Sequence, residues 1–125
     1  MWIFTTKGFL SIVRHMDKSN ILIVRSRFRG HIEKIFPKAK VIEDGSRDYR
    51  FRVELDIKEV ARVIAGMVLV INYDNFKGSL DADDQGYYES CIDTYYVLGK
   101  NSGDWGLENF VYGGRRTDES KQVEG

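Results

Sequence analysis

Apolar and polar residues alternate through much of the first half of the chain, and apolar residues recur at helical spacing in the second. Trp2 to Thr5 is a short apolar run, Lys7-Gly8 carries turn chemistry, and Phe9 to Arg14 is a second run, so the chain is expected to open with a β-hairpin. After a polar turn at Asp17 to Asn20, the stretch Ile21 to Arg29 gives the strongest strand pattern. Successive side chains of a strand point to opposite faces. Leu22, Val24, Ser26 and Phe28 are therefore expected against a core, and Arg25, Arg27 and Arg29 on the other face. Gly30 breaks the strand, and His31 to Phe36 reads as a short helix closed by Pro37. Val41 to Glu43 reads as a brief strand followed by the turn Asp44-Gly45-Ser46. Tyr49 to Leu55 alternates again, with Tyr49, Phe51, Val53 and Leu55 facing inward and Arg50, Arg52 and Glu54 outward.

Two longer helices follow. Ile57, Val60, Ala61, Ile64, Met67, Val68 and Ile71 repeat at helical spacing behind Asp56, a good N-cap with Glu59 three residues on. The second helix is expected from about Asp84 to Leu98, with Tyr88, Cys91, Ile92, Tyr95 and Leu98 as its buried stripe and Gly99 as its stop. Asp81, Asp83 and Asp84 would sit at its positive N-terminal end. Between the helices, Asn72 to Gly78 reads as a structured loop pinned to the core by Tyr73 and Phe76.

The order β-β-β-α-β-β-α-α implies an α+β fold: an antiparallel sheet of about five strands with helices packed on one face. It combines an N-terminal hairpin with a partial ferredoxin-like βαββα unit over residues 21–71. Residues 1–112 are expected to form a single compact domain and 113–125 a flexible polar tail. The apolar segment Trp105 to Tyr112 is expected either to dock as an extra strand or to remain a sticky segment.

With 125 residues, 42 % of them apolar, the chain can build a genuine core. Its longest apolar run, Met67 to Ile71, is far short of the roughly 20 residues that a bilayer span needs. A single cysteine excludes an internal disulfide and a cysteine zinc site, and a cytoplasmic location is expected. The formal net charge of zero hides an asymmetry. Residues 1–62 hold 14 Lys or Arg against 8 Asp or Glu, and residues 63–125 hold 5 against 11. The first half therefore offers an anion-binding face.

That face centres on Arg25, Arg27, Arg29, Arg50 and Arg52. Arginine forks grip phosphate or carboxylate with two parallel hydrogen bonds. Sheets that bind single-stranded RNA also stack bases on exposed aromatics, whereas Phe28, Tyr49 and Phe51 alternate to the core side here. The competing account is that the arginines pair with Glu43, Glu54 or the acidic second half. A second candidate is the 72–77 loop, which would present Asp74, Asn75 and Lys77 for recognition. Asp81-Ala-Asp-Asp-Gln-Gly86 starts like a calcium loop, but Ile92 stands where a bidentate Glu is needed. His15 and His31 have no metal-ligand spacing, Cys91 lies on an apolar stripe, and no phosphate-cradling glycine motif occurs. No catalytic, cofactor-binding or metal residue is assigned.

Several stretches also resemble a family of short bacterial and phage proteins to which no function has been assigned. The resemblance rests on Met1-Trp-Ile-Phe4, Gly8-Phe-Leu-Ser-Ile-Val13, Ile32-Glu-Lys-Ile-Phe-Pro37, Asp48-Tyr-Arg-Phe-Arg52, Ile71-Asn-Tyr-Asp-Asn-Phe-Lys77 and Tyr95-Tyr-Val-Leu98. It spans residues 1–98 and implies a compact cytoplasmic domain without implying a reaction. The expected role is a non-enzymatic interaction or regulatory module for an acidic macromolecular partner, an acidic protein first. The alternatives are a weak, sequence-nonspecific nucleic-acid binder using the arginine-lined sheet face, and a small enzyme with an unrecognised site.

Overall fold

The structure, a computed structural model, describes residues 1–103. The expectations for residues 105–125 lie outside the described residues. Two compact units divide the chain, Met1–Phe76 and a second from Lys77 onward.

The first unit is built on a five-stranded antiparallel sheet in the order β1-β2-β3-β5-β4. Its strands are β1 (Trp2–Thr5), β2 (Gly8–Arg14), β3 (Ile21–Ser26), β4 (Ile42–Glu43) and β5 (Phe51–Asp56). Helix α1 (His31–Ile35) connects β3 to β4, and α2 (Ile57–Leu69) follows β5. Because β3 and β4 are both antiparallel to the intervening β5, they form the split β-α-β arrangement expected for residues 21–71. The opening hairpin widens the sheet on the β3 side.

One face of the sheet is the core. Leu10, Ile12, Val24, Phe51 and Val53 meet Ile32, Ile35 and Phe36 from α1 and its C-terminal end, and Val60 from α2. Leu10, Val24 and Ile32 are completely shielded, and each such side chain contributes about 1.5–3 kcal/mol through burial. Ser26 shares this face and satisfies its hydroxyl by donating to the Phe9 carbonyl at 2.7 Å. Helix α2 starts as the sequence indicates, with the Asp56 carboxylate accepting from the Lys58 N–H at 2.8 Å. Val60 is its buried residue, Ile64 and Met67 are partly covered, and Val68 and Ile71 remain exposed.

Three departures from the sequence reading matter for the site. Strand β3 ends at Ser26 rather than Arg29, because the Ser26 hydroxyl accepts from the Phe28 N–H and the chain turns away. Phe28 is accordingly not a core residue and stacks on His31, with ring centroids 4.8 Å apart. Strand β5 starts at Phe51 rather than Tyr49, since Asp48 captures the Tyr49 N–H at 2.8 Å.

In the second unit a short 3₁₀ turn (Lys77–Ser79) precedes α3 (Gln85–Ser102). Gly99 does not stop α3, which continues to Gly103, the residue that takes the left-handed conformation at φ 80°. Its buried residues are Tyr87 and Cys91, not the whole expected stripe: Tyr88 and Ile92 are half-buried, and Tyr95 and Leu98 are exposed. Tyrosine carries a polar tip that tolerates water, so the tyrosines misdirected the reading of this face. Among the described residues no helix is long and apolar enough to cross a membrane.

Candidate anion-binding face

Register places the chemistry on the sheet face opposite the core. Val24 pairs with Val53 on the core side, so their neighbours Arg25 and Arg52, themselves register partners, share the other side. Ser11 pairs with Arg25, Trp2 with Ser11, and Ile42 with Arg52. One row therefore crosses all five strands as Trp2, Ser11, Arg25, Arg52 and Ile42.

Arg25 is anchored at Ser11 and at the Tyr49 ring. Its Nη2 donates to Ser11 Oγ at 2.6 Å, and its guanidinium carbon lies 4.4 Å from the centre of the Tyr49 ring. Arg27 approaches the same ring at 4.6 Å. Tyr49 in turn stacks on Phe9 at 6.4 Å, and Phe9 meets Phe4 and Trp2 at 5.0 and 6.2 Å. An aromatic floor under two guanidiniums offsets their mutual repulsion, because each cation is drawn to the negative ring face. A guanidinium carries five donors, so the bonds to Ser11 do not exhaust those of Arg25.

Arg52 has no such relief. Burial, followed by the charges of Arg47 and Arg25, lowers the pKa of its guanidinium from the ordinary value. Among the described residues no carboxylate lies within 4.0 Å of it. Asp48 and Asp44, farther away, act in the opposite direction and offset part of this shift. A broad open groove of about 990 Å³ is lined by Arg52, Arg47, Lys38, Lys40, His15 and Ile23, among others. Two of the three acids lining this groove, Asp44 and Glu54, are engaged. Asp44 accepts from the Ser46 hydroxyl and from Arg47, contacts that lower its pKa. Glu54 accepts from Lys18 at 3.2 Å, which with His15 lowers its pKa. His15 Nδ1 accepts the Asp17 and Lys18 N–H groups, so Nε2 carries the proton that is donated to Glu54.

The five sequence-nominated arginines therefore split. Arg25, Arg27 and Arg52 gather at the open face, and Arg29 and Arg50 converge on Glu43. Arg29 makes a two-pronged pair with Glu43, both bonds 3.0 Å, and Arg50 lies 3.9 Å from the same carboxylate. This contact lowers the Glu43 pKa and raises that of Arg29. Alternation fails for Arg29 because β3 has already ended. For Arg50 the cause is the adjacent turn, whose Asp44 N–H donates to the Arg50 carbonyl at 2.7 Å. The 72–77 loop is divided between the two units after Phe76. Asp74 and Asn75 are exposed at the end of the first unit, where Tyr73 and Phe76 pack on each other at 6.2 Å. Lys77 opens the second unit and places its ammonium 3.8 Å from the Tyr95 ring centre.

Sequence reasoning also misplaced the aromatics. Tyr49, expected in the core, belongs to the open face, where it is only 7 % exposed beneath Arg25 and Arg27. Trp2, Phe4 and Phe9 lie there too, with Trp2 68 % exposed. The alternation Trp2–Phe4 was a legible signal, because two aromatics two residues apart on an edge strand share one face.

Other chemistry is structurally occupied. His31 is fully buried, and its Nδ1 accepts the Phe9 N–H. Cys91 is a buried thiol whose pKa burial raises, opposite to what a reactive thiolate requires. Among the described residues, no group of three His, Cys, Asp or Glu is placed to hold a metal ion. Asp81 instead accepts the Asp83 N–H at 2.9 Å in a local turn. Comparison with protein-family models, with curated proteins and with solved structures found no match.

Proposed function

We propose that the chain is a non-enzymatic interaction module whose open sheet face binds an acidic macromolecule. The observation that carries this reading is the register pair Arg25–Arg52, two cationic residues on adjacent strands of one face with no carboxylate of the described residues within 4.0 Å of either. Burial, and after it the Arg47 and Arg25 charges, disfavours the Arg52 cation, and an anion seated above it favours that cation. Arg27 and the groove cations Lys38, Lys40 and Arg47 extend the positive field around that pair. A cytoplasmic setting belongs to the same reading, since the single cysteine is a buried free thiol that needs no oxidising compartment.

The test uses two defined polyanions, a fluorescent polyglutamate peptide and a fluorescent oligonucleotide, and reads anisotropy at low salt. The native chain is expected to hold at least one of them. Changing Arg27 and Arg52 together to Glu is expected to abolish that binding while leaving the circular dichroism spectrum and the urea midpoint close to native. Binding that survives the double change overturns this reading, as does failure of the native chain to hold either probe.

A further inference from the structure

Resting on the reading above, we infer that the anionic partner is a single-stranded nucleic acid, with a base stacked on Trp2 and phosphates gripped by Arg25, Arg27 and Arg52. The register row is the reason. Trp2, on β1, lies two strands from Arg25 and three from Arg52 along one line across the sheet. Neighbouring strands are spaced about 4.8 Å apart, so the Trp2 backbone lies roughly 10 Å from the Arg25 backbone. A base and the phosphates of adjoining nucleotides bridge that distance.

An acidic peptide accounts for the arginines but leaves the indole without a role. Trp2 is 68 % exposed, and Phe4 beside it is 36 % exposed on the same face. Sequence-tolerant single-strand binding combines cations along the backbone with aromatic platforms for the bases, and both stand in this one row. A duplex fits less well, because its bases are already stacked and closed to an indole on a flat sheet. The aromatic floor also fixes the arginines. Arg25 and Arg27 lie over Tyr49, and Tyr49 lies on Phe9, so the forks are ordered before the ligand arrives. Preorganisation lowers the entropy lost on binding.

The experiment uses the full chain carrying Trp105→Phe, which leaves Trp2 as the sole tryptophan of the two in the sequence. Trp2 emission is followed during titration with an oligothymidylate, a duplex of equal charge and a polyglutamate peptide. Saturable quenching by the single strand is expected, with weaker binding of the duplex and none of polyglutamate. Trp2→Ala is expected to weaken oligothymidylate anisotropy binding about tenfold, within the range for loss of one stacked base, and Trp2→Phe to recover most of it. The logarithm of affinity should fall with the logarithm of salt at a slope of about −2, as for roughly three phosphate contacts on a single strand.

Polyglutamate binding without oligothymidylate binding overturns this inference and leaves the acidic-partner reading standing. Failure of every probe overturns both. Oligothymidylate binding without Trp2 quenching and unaffected by Trp2→Ala, or duplex binding as tight as single-strand binding, overturns the single-strand assignment alone.

Discussion

The backbone N–H of Phe9 donates a 2.9 Å hydrogen bond to Nδ1 of His31, which joins the start of β2 to the start of α1 across 22 residues. The contact is tight because residue 8 is glycine. A Cβ at that position would lie 2.6 Å from Cγ of His31, closer than real atoms approach. Gly8→Ala should therefore force the imidazole aside and cost about 1–3 kcal/mol as overpacking, read from urea denaturation. His31→Ala should cost about 2–4 kcal/mol, since it leaves both a cavity and an unpaired buried N–H. Native-like stability of Gly8→Ala would show that α1 docks more loosely than the structure indicates.

The fold was legible where a local pattern and tertiary packing agreed. The hairpin, the strand cores at Val24 and Val53, the short helix behind Gly30 and the Asp56 cap all follow from alternation, spacing and capping chemistry. The site was only half legible, because alternation holds only while a strand stays pleated. Two small polar side chains, Ser26 and Asp48, bond to nearby backbone N–H groups and cut β3 and β5 short. Those two bonds send Arg29 to Glu43 and Tyr49 to the open face. No periodicity count registers a competition between side chain and ladder for one N–H. The cross-strand row from Trp2 to Ile42 was also invisible in the sequence, because register is a property of strand pairs.

Arg52 separates function from stability. Burial and the neighbouring Arg47 and Arg25 charges disfavour its charged form. Arg52→Gln removes that cost, so its urea midpoint should equal or slightly exceed the native one, with a stability change within about 0.5 kcal/mol. Binding of the polyanion should fall in the same variant. A clear loss of stability would mean that Arg52 supports the fold rather than a ligand.

Acid should weaken the fold through three surface carboxylates. Glu43 beside Arg29, Asp44 beside Ser46 and Arg47, and Glu54 beside Lys18 and His15 all have pKa values lowered by folding. A lowered folded-state pKa adds stability above the unfolded value, and that stability is lost as pH falls through the folded one. The urea midpoint should thus decline as pH drops below the ordinary carboxylate range, about 4. The combined variant Glu43→Gln, Asp44→Asn and Glu54→Gln should start lower at pH 7 and show a flatter decline. An unchanged slope would assign the acid sensitivity to other groups.

Two glycines in helical segments should respond in opposite directions. Gly66 lies inside α2, and a Cβ there meets nothing within 4 Å. Gly66→Ala should stabilise by about 0.4–1 kcal/mol, because it restricts the unfolded chain without a clash. Gly103 ends α3 at φ 80°, where a side chain is strained. Gly103→Ala should destabilise by about 1 kcal/mol. Thermal or urea unfolding of the two single variants decides the matter, and stabilisation of both would remove Gly103 as the helix stop.

Tyr49 joins the fold to the candidate site, and graded substitution separates its two tasks. Its ring stacks on Phe9 on one hand and carries Arg25 and Arg27 on the other. Tyr49→Phe keeps an aromatic face, so stability and polyanion affinity should both remain near native. Tyr49→Leu fills much of the volume but has no quadrupole. Stability should then fall by no more than about 1.5 kcal/mol, while affinity drops because the two guanidiniums lose the ring that holds them. Tyr49→Ala removes both packing and platform, at about 3–5 kcal/mol if the cost matches other aromatic truncations. The informative variant is Tyr49→Leu, measured by urea unfolding and oligothymidylate anisotropy side by side. Affinity lost well beyond the change in stability identifies the ring as the platform that orders the arginines. Affinity fully retained would mean that Arg25 and Arg27 hold their positions without it, through contacts such as the Arg25–Ser11 bond at 2.6 Å.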